Sequence, residues 1–247
     1  SNPYTPKAVM TEGPDFNSKL KSLETATDKI EHFKKSPVAP TASMNTVNIE
    51  DEESECEIKL WLDPTDKTAY YYTEPEKVYL NEDSSEMFYT EYYEQEIKNI
   101  LEIDLSNFDT SQVTNMREMF YDMHNLTALD LSNFDTSKVT DMSSMFYRVS
   151  NLTTLDLSNF DTSQVTDMNH MFYLEDKNIL KDKLEKIYVN NDFNTSQLTG
   201  FSNMFGNRRK LRGGAGSFLT DPSTADKTWL SVDDPAHGRP GYFTRKP

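Results

Sequence analysis

LDLSNFDTSKVTDMSSMF occupies residues 129–146, and near-identical words stand on either side of it. From Ile103 the chain reads IDLSNFDTSQVTNMREMF, and from Leu155 it reads LDLSNFDTSQVTDMNHMF. The step is 26 residues each time, from 103 to 129 to 155. A degenerate copy, IYVNNDFNTSQLTGFSNMF, begins at Ile187, after an insertion rich in Lys, Asp and Glu. A shorter copy, VYLNEDSSEMF, begins at Val78 and lacks the loop between the first strand and the Met-Phe pair. A fixed period of this length marks a repeat architecture, with about five stacked coils over 78–206.

Each coil has a physical reading. Leu129-Asp130-Leu131 alternates apolar and polar, which suits a short strand with one buried side. Residues 132–137 carry turn chemistry around one aromatic, Phe134. Thr140 is a suitable N-cap, with Asp141 in the favoured first turn. Met142, Met145 and Phe146 then fall at i, i+3 and i+4, one face of a short helix. The expected fold class is therefore α/β: a right-handed β/α solenoid with parallel strands at 103–105, 129–131, 155–157 and 187–189 in one sheet and helices opposite. No single coil buries its own apolar side, so neighbours must stack. The series Met116, Met142, Met168 and Phe120, Phe146, Phe172, Phe205 is read as that core.

The words LxxLDLSNFDTSxVTxMxxMF resemble those of BspA-family leucine-rich-repeat surface proteins of host-associated bacteria. The resemblance covers residues about 50–245, including the lead-in IKLWLDPTDKTAYYYTEPEKVYLN and the closing GYFT. It implies a leucine-rich-repeat solenoid, export, display at the cell surface and adhesion. That family shares a scaffold and no catalytic residues, so the resemblance assigns none.

The flanks read as caps. Phe16, Leu20 and Leu23, behind Pro14-Asp15, are spaced for an amphipathic helix over 15–26. Residues 36–56 are polar and hold two prolines, so a linker is expected there. Ile58, Leu60 and Leu62 alternate like a strand. Trp229, Leu230, Val232, Tyr242 and Phe243 suggest a terminal hairpin. The expected organisation is an N-terminal cap and linker over 1–57, repeats over 58–206, and a C-terminal cap over 207–247.

Composition narrows the function. The formal charge of −16 argues against nucleic acid, whose phosphates attract basic proteins. It argues equally against an anionic membrane surface. No apolar run approaches the roughly 20 residues that span a bilayer, and no apolar leader stands at residue 1. Cys56 is the single cysteine, so an internal disulfide and a CxxC site are excluded. Neither GxSxG, a P-loop nor HExxH occurs. The four histidines, His32, His124, His170 and His237, are scattered. No catalytic residue, metal site or cofactor is expected. The run Arg208-Arg209-Lys210 with Arg212 reads as a solvated basic loop.

The outward strand positions carry the candidate site. The repeat register aligns Tyr79, Asp104, Asp130, Asp156 and Tyr188. Strands about 4.8 Å apart would crowd the three carboxylates, which repel unless screened, protonated or bridged. Such an aromatic-flanked acidic strip suits a sugar, a cation or a basic peptide. The expectation is a secreted, monomeric protein of the bacterial cell surface that binds a host or bacterial protein or glycan. The alternatives are a glycan-acting enzyme on the same scaffold and a passive spacer.

Overall fold

A computed structural model describes residues 4–247. In chain order the elements are β1 (Ala8–Val9), α1 (Gly13–Ser22), β2 (His32–Lys35), β3 (Val47–Asn48), β4 (Lys59–Asp63), β5 (Thr68–Tyr72), β6 (Val78–Tyr79), β7 (Glu102–Ile103), β8 (Phe108–Asp109), β9 (Thr154–Asp156), β10 (Lys186–Val189) and β11 (Phe243–Arg245). They form three small sheets, ordered β1-β6-β8, β11-β10-β9 and β3-β4-β5-β2-β7. The first two are parallel. In the third, β3-β4-β5 is antiparallel and β5-β2-β7 is parallel.

This overturns the expected right-handed β/α leucine-rich-repeat solenoid. The four repeat strands do not share a sheet: 103 lies in one, 155 and 187 in another, and 129–131 in none. The repeats also carry no α-helix, and α1 is the one α-helix among the described residues. The reason is local. The residue before each Met-Phe pair is left-handed: Glu86 (φ 62), Glu118 (57), Ser144 (52), His170 (58) and Asn203 (48). A left-handed residue every coil breaks the i→i−4 pattern. The N–H groups turn to the next coil instead, Met116 to Asp141 O, Glu118 to Ser143 O, Phe120 to Met145 O and Asp122 to Tyr147 O, at 2.7–3.1 Å. Spacing of i, i+3, i+4 thus arises here from consecutive turns, stacked in parallel through Asp83, Asn115, Asp141, Asp167 and Gly200.

Nearly every letter of the repeat word has a job in that stack. Asp104, Asp130 and Asp156 each accept the N–H two residues on, at 2.9 Å. Asp109, Asp135 and Asp161 do the same for Ser111, Ser137 and Ser163. So do Asn115, Asp141 and Asp167 for Arg117, Ser143 and Asn169. These are Asx turns, the local use to which short polar side chains are suited. Thr110 and Thr136 are buried and bond the carbonyls of Asp135 and Asp161 one coil on, at 2.9 and 2.8 Å. The first asparagine of each word reaches back one coil, Asn133 to Leu105 O (3.0 Å) and Asn159 to Leu131 O (2.9 Å).

The core follows the Met-Phe pairs. Phe88, Phe120, Phe146, Phe172 and Phe205 are buried and stack with ring centroids 5.9, 5.9, 5.8 and 5.1 Å apart. Beside them runs a tyrosine ladder, Tyr89, Tyr121, Tyr147 and Tyr173, at 4.6, 4.1 and 5.5 Å. The ends are closed by aromatics: Phe16 and Phe33 against Phe88, and Tyr242 against Phe205.

Several flanking expectations shift. The helix spans Gly13–Ser22, with Pro14 in its first turn. The polar stretch 36–56 supplies β3, which pairs with β4, and the buried Ile49. Phe243 lies parallel to Ile187 and bridges Val232 in parallel, so no terminal hairpin forms. Arg208 is not a solvated loop residue. Its guanidinium is fully buried, 2.8 Å from the equally buried Asp182, and donates to the carbonyls of Phe146, Val149 and Phe172. That pair ties the insertion at 175–184 to the turn stack.

Candidate functional site

The outward row is partly as expected and partly rebuilt. Asp156 and Tyr188 are register partners on β9 and β10. Asp104 and Asp130 are exposed and Asp156 is half-buried. Tyr79, however, belongs to another sheet, where it pairs with Val9 and Asp109. The short copy at Val78 is aligned with the loop strand β8, not with β7. Most of its missing residues therefore precede the copy, and two fall inside it, between Tyr79, opposite Asp109, and Asp83, opposite Asn115. The place beside β7 is taken by β2, which comes about 70 residues earlier in the chain.

That substitution changes what flanks the acidic residues. Register partners give the order Trp61, Tyr70, Lys34 across β4, β5 and β2. One step beyond the paired His32–Glu102 and Phe33–Ile103, Lys34 lines the same groove as Asp104. The Trp61 and Tyr70 rings stack at 5.8 Å, and the Lys34 ammonium lies 5.7 Å from the Tyr70 ring centre. At the other end, Lys246 pairs with Asp156 at 2.8 Å. Sequence reasoning missed Trp61, Tyr70, Lys34 and Lys246. None lies in a repeat word, so the 26-residue period carried no signal for them.

The Ser132 side chain and N–H hold the Asp130 carboxyl below its ordinary value, against a smaller opposing effect of burial. Burial works to raise Asp156, but the charge and hydrogen bond of Lys246, with the Ser158 hydrogen bonds, outweigh it and leave the group lowered. For Asp130 and Asp156, hydrogen bonds of the Asx turns and one ion pair favour the charged form.

Between the strands the surface opens. No backbone–backbone hydrogen bond joins 103–105 to 129–131, or 129–131 to 155–157. Two grooves result on either side of the 129–131 segment. One, of about 400 Å³, is lined by His32, Lys34, Glu102, Asp104, Ala128 and Asp130 among others. The second, of about 500 Å³, is lined by Ala128, Asp130, Thr154, Asp156 and Lys246 among others. Among the described residues no cluster of three or more His, Cys, Asp or Glu could hold a metal ion, and no helix is long and apolar enough to cross a membrane.

The family described as "Mycoplasma protein of unknown function, DUF285" matches residues 82–218, more than half of the chain. Neither a curated protein nor a solved structure matches it.

Proposed function

The chain belongs to the DUF285 family, and on that premise we infer that it is a binding protein displayed at a bacterial surface. Its role is adhesion to a host or neighbouring-cell component, protein or glycan. DUF285 is found in BspA-like surface proteins, and the repeat words resemble that family's. The observation that carries the reading is the pair of grooves across the Asp104–Asp130–Asp156 row, with Tyr70 and Tyr188 on the strands beyond its ends. Polar groups arranged along a concave surface favour recognition.

The test exploits the Asx turns. Asn serves as the acceptor in turns of the same kind elsewhere in the repeats, at Asn115 and Asn194. A triple variant, Asp104→Asn, Asp130→Asn and Asp156→Asn, is therefore expected to melt like the parent while losing the row's charge. Immobilised parent should capture material from mucus or cell extracts, and the triple variant should capture much less. A parent that retains nothing from any extract sinks the adhesion reading. Equal capture by both proteins moves the binding surface away from the row.

A further inference from the structure

We propose that the two grooves flanking 129–131 form one continuous site for a neutral glycan chain lying across the repeats, with Ala128 as the residue that keeps it open. This rests on the binding reading above and names its ligand class.

The first argument is steric. At the positions corresponding to Ala128, the adjacent coils carry Glu102 and Thr154, and the outer strands carry His32 and Lys186. Ala128 is exposed and lines both grooves. It is the shortest side chain in the row, and it lines both openings where a longer one would divide them. Each groove lies within the roughly 300–1,000 Å³ typical of small-ligand sites.

The second argument is geometric and excludes an added strand. β7 and β9 both end their sheets on the side facing 129–131. An incoming peptide strand would need about 4.8 Å of clearance to each neighbour. The turn side of the molecule forbids it, because its hydrogen-bonded ladder holds adjacent coils one strand-width apart at Asn115, Asp141 and Asp167. The ligand must therefore lie over the coils, not between them.

The third argument is chemical. Edge backbone groups of 103–105 and 129–131 lack ladder partners, so the grooves present both donors and acceptors. The carboxylates of Asp104 and Asp130 each fix Oδ1 in an Asx turn, and among the described residues none donates a hydrogen bond to Oδ2. A sugar hydroxyl both donates and accepts, and suits such a mixture. A cationic ligand spanning both grooves would meet Lys34 at one end and Lys246, already paired with Asp156, at the other. Anionic ligands meet Glu102, Asp104 and Asp130. Neutral polyols escape both penalties.

The experiment titrates parent, Ala128→Trp and Ala128→Ser with short neutral oligosaccharides of hexose and N-acetylhexosamine, and separately with oligolysine. Glu102 and Thr154 show that the coil tolerates larger side chains at this place, so Ala128→Trp should melt with the parent. The expected result is binding of at least one neutral oligosaccharide, weakened about tenfold or more by Ala128→Trp and little changed by Ala128→Ser. Saccharide binding unaffected by Ala128→Trp overturns the location. Binding of oligolysine in preference to every neutral saccharide overturns the ligand class. A parent that captures extract material yet binds no neutral saccharide overturns this inference alone, leaving the adhesion reading intact; failure of both experiments removes the two together.

Discussion

The Met-Phe side and the strand side of the repeat stack come from the same repeat words and are joined by different kinds of hydrogen bond. On the Met-Phe side, hydrogen bonds run from coil to coil without a break between Asp83 and Gly200. On the strand side the backbone ladder is absent around 129–131, and coils are joined by side chains, Asn133 to Leu105 O and Asn159 to Leu131 O. The side that looks helical in sequence is the one with the parallel ladder. The side that looks like strand is the one that opens into grooves. Rigidity and recognition are thus divided between opposite sides of one repeat, which is how a scaffold keeps a polar surface available without losing its core.

The largest expected effect breaks the rigid side. Phe146 is 1 % exposed and stacks on Phe120 and Phe172. Phe146→Ala should cost about 3–5 kcal/mol, a transfer loss plus an unfilled cavity. Denaturant unfolding measures it. A loss below about 0.5 kcal/mol, the scale of a surface change, would show that the phenylalanine stack is not what holds the coils.

How much of this was legible divides along the same line. The repeat, its period and its buried Met and Phe positions were readable because identical side chains recur at identical places and touch. The helix was misread because hydrophobic spacing reports which side chains face inward, not which way the N–H groups point. Nothing in Glu118, Ser144 or His170 announces a positive φ. Of the expected row, the repeat period placed Tyr188 beside Asp156, where β9 and β10 pair them. Tyr79 was misplaced, because the gap in a short copy has no fixed position in sequence. Lys34, Tyr70 and Lys246 come from segments distant in the chain, joined to the repeats by sheet pairing that no local pattern encodes. The structural use of each aspartate was also hidden, since an Asx acceptor and a ligand acceptor are the same residue type.

A smaller effect tests the open side. Asn133 donates to Leu105 O and Phe108 O at 3.0 and 2.8 Å, where no ladder exists. Asn133→Ala should cost about 1–3 kcal/mol if those side-chain bonds substitute for the missing backbone ones. Hydrogen exchange should show faster local opening at 103–108 with little change at 116–122, whose N–H groups bond the next coil. Equal acceleration on both sides would mean that the two sides open as one unit, and the division argued above would fail.

The smallest effect has the most informative sign. Ser144 sits at φ 52 between Ser143 and the buried Met145. If the segment were helical, Ser144→Gly would destabilise it by roughly 0.5–1 kcal/mol, the ordinary cost of glycine inside a helix. In the left-handed conformation the balance reverses. The Cβ–carbonyl crowding of an L-residue there costs roughly 1–2 kcal/mol, and glycine removes it while giving back part through a freer unfolded chain. The net expectation is a gain of about 0.5–1 kcal/mol. Glu118→Gly and His170→Gly, at φ 57 and 58, should behave alike, and the three should add because they lie in separate coils. A thermal melt of the triple variant reads the sign directly. A lower midpoint would place these residues in a helix and break the account of why the Met-Phe side forms a ladder; a higher one locates the strain at one residue per coil.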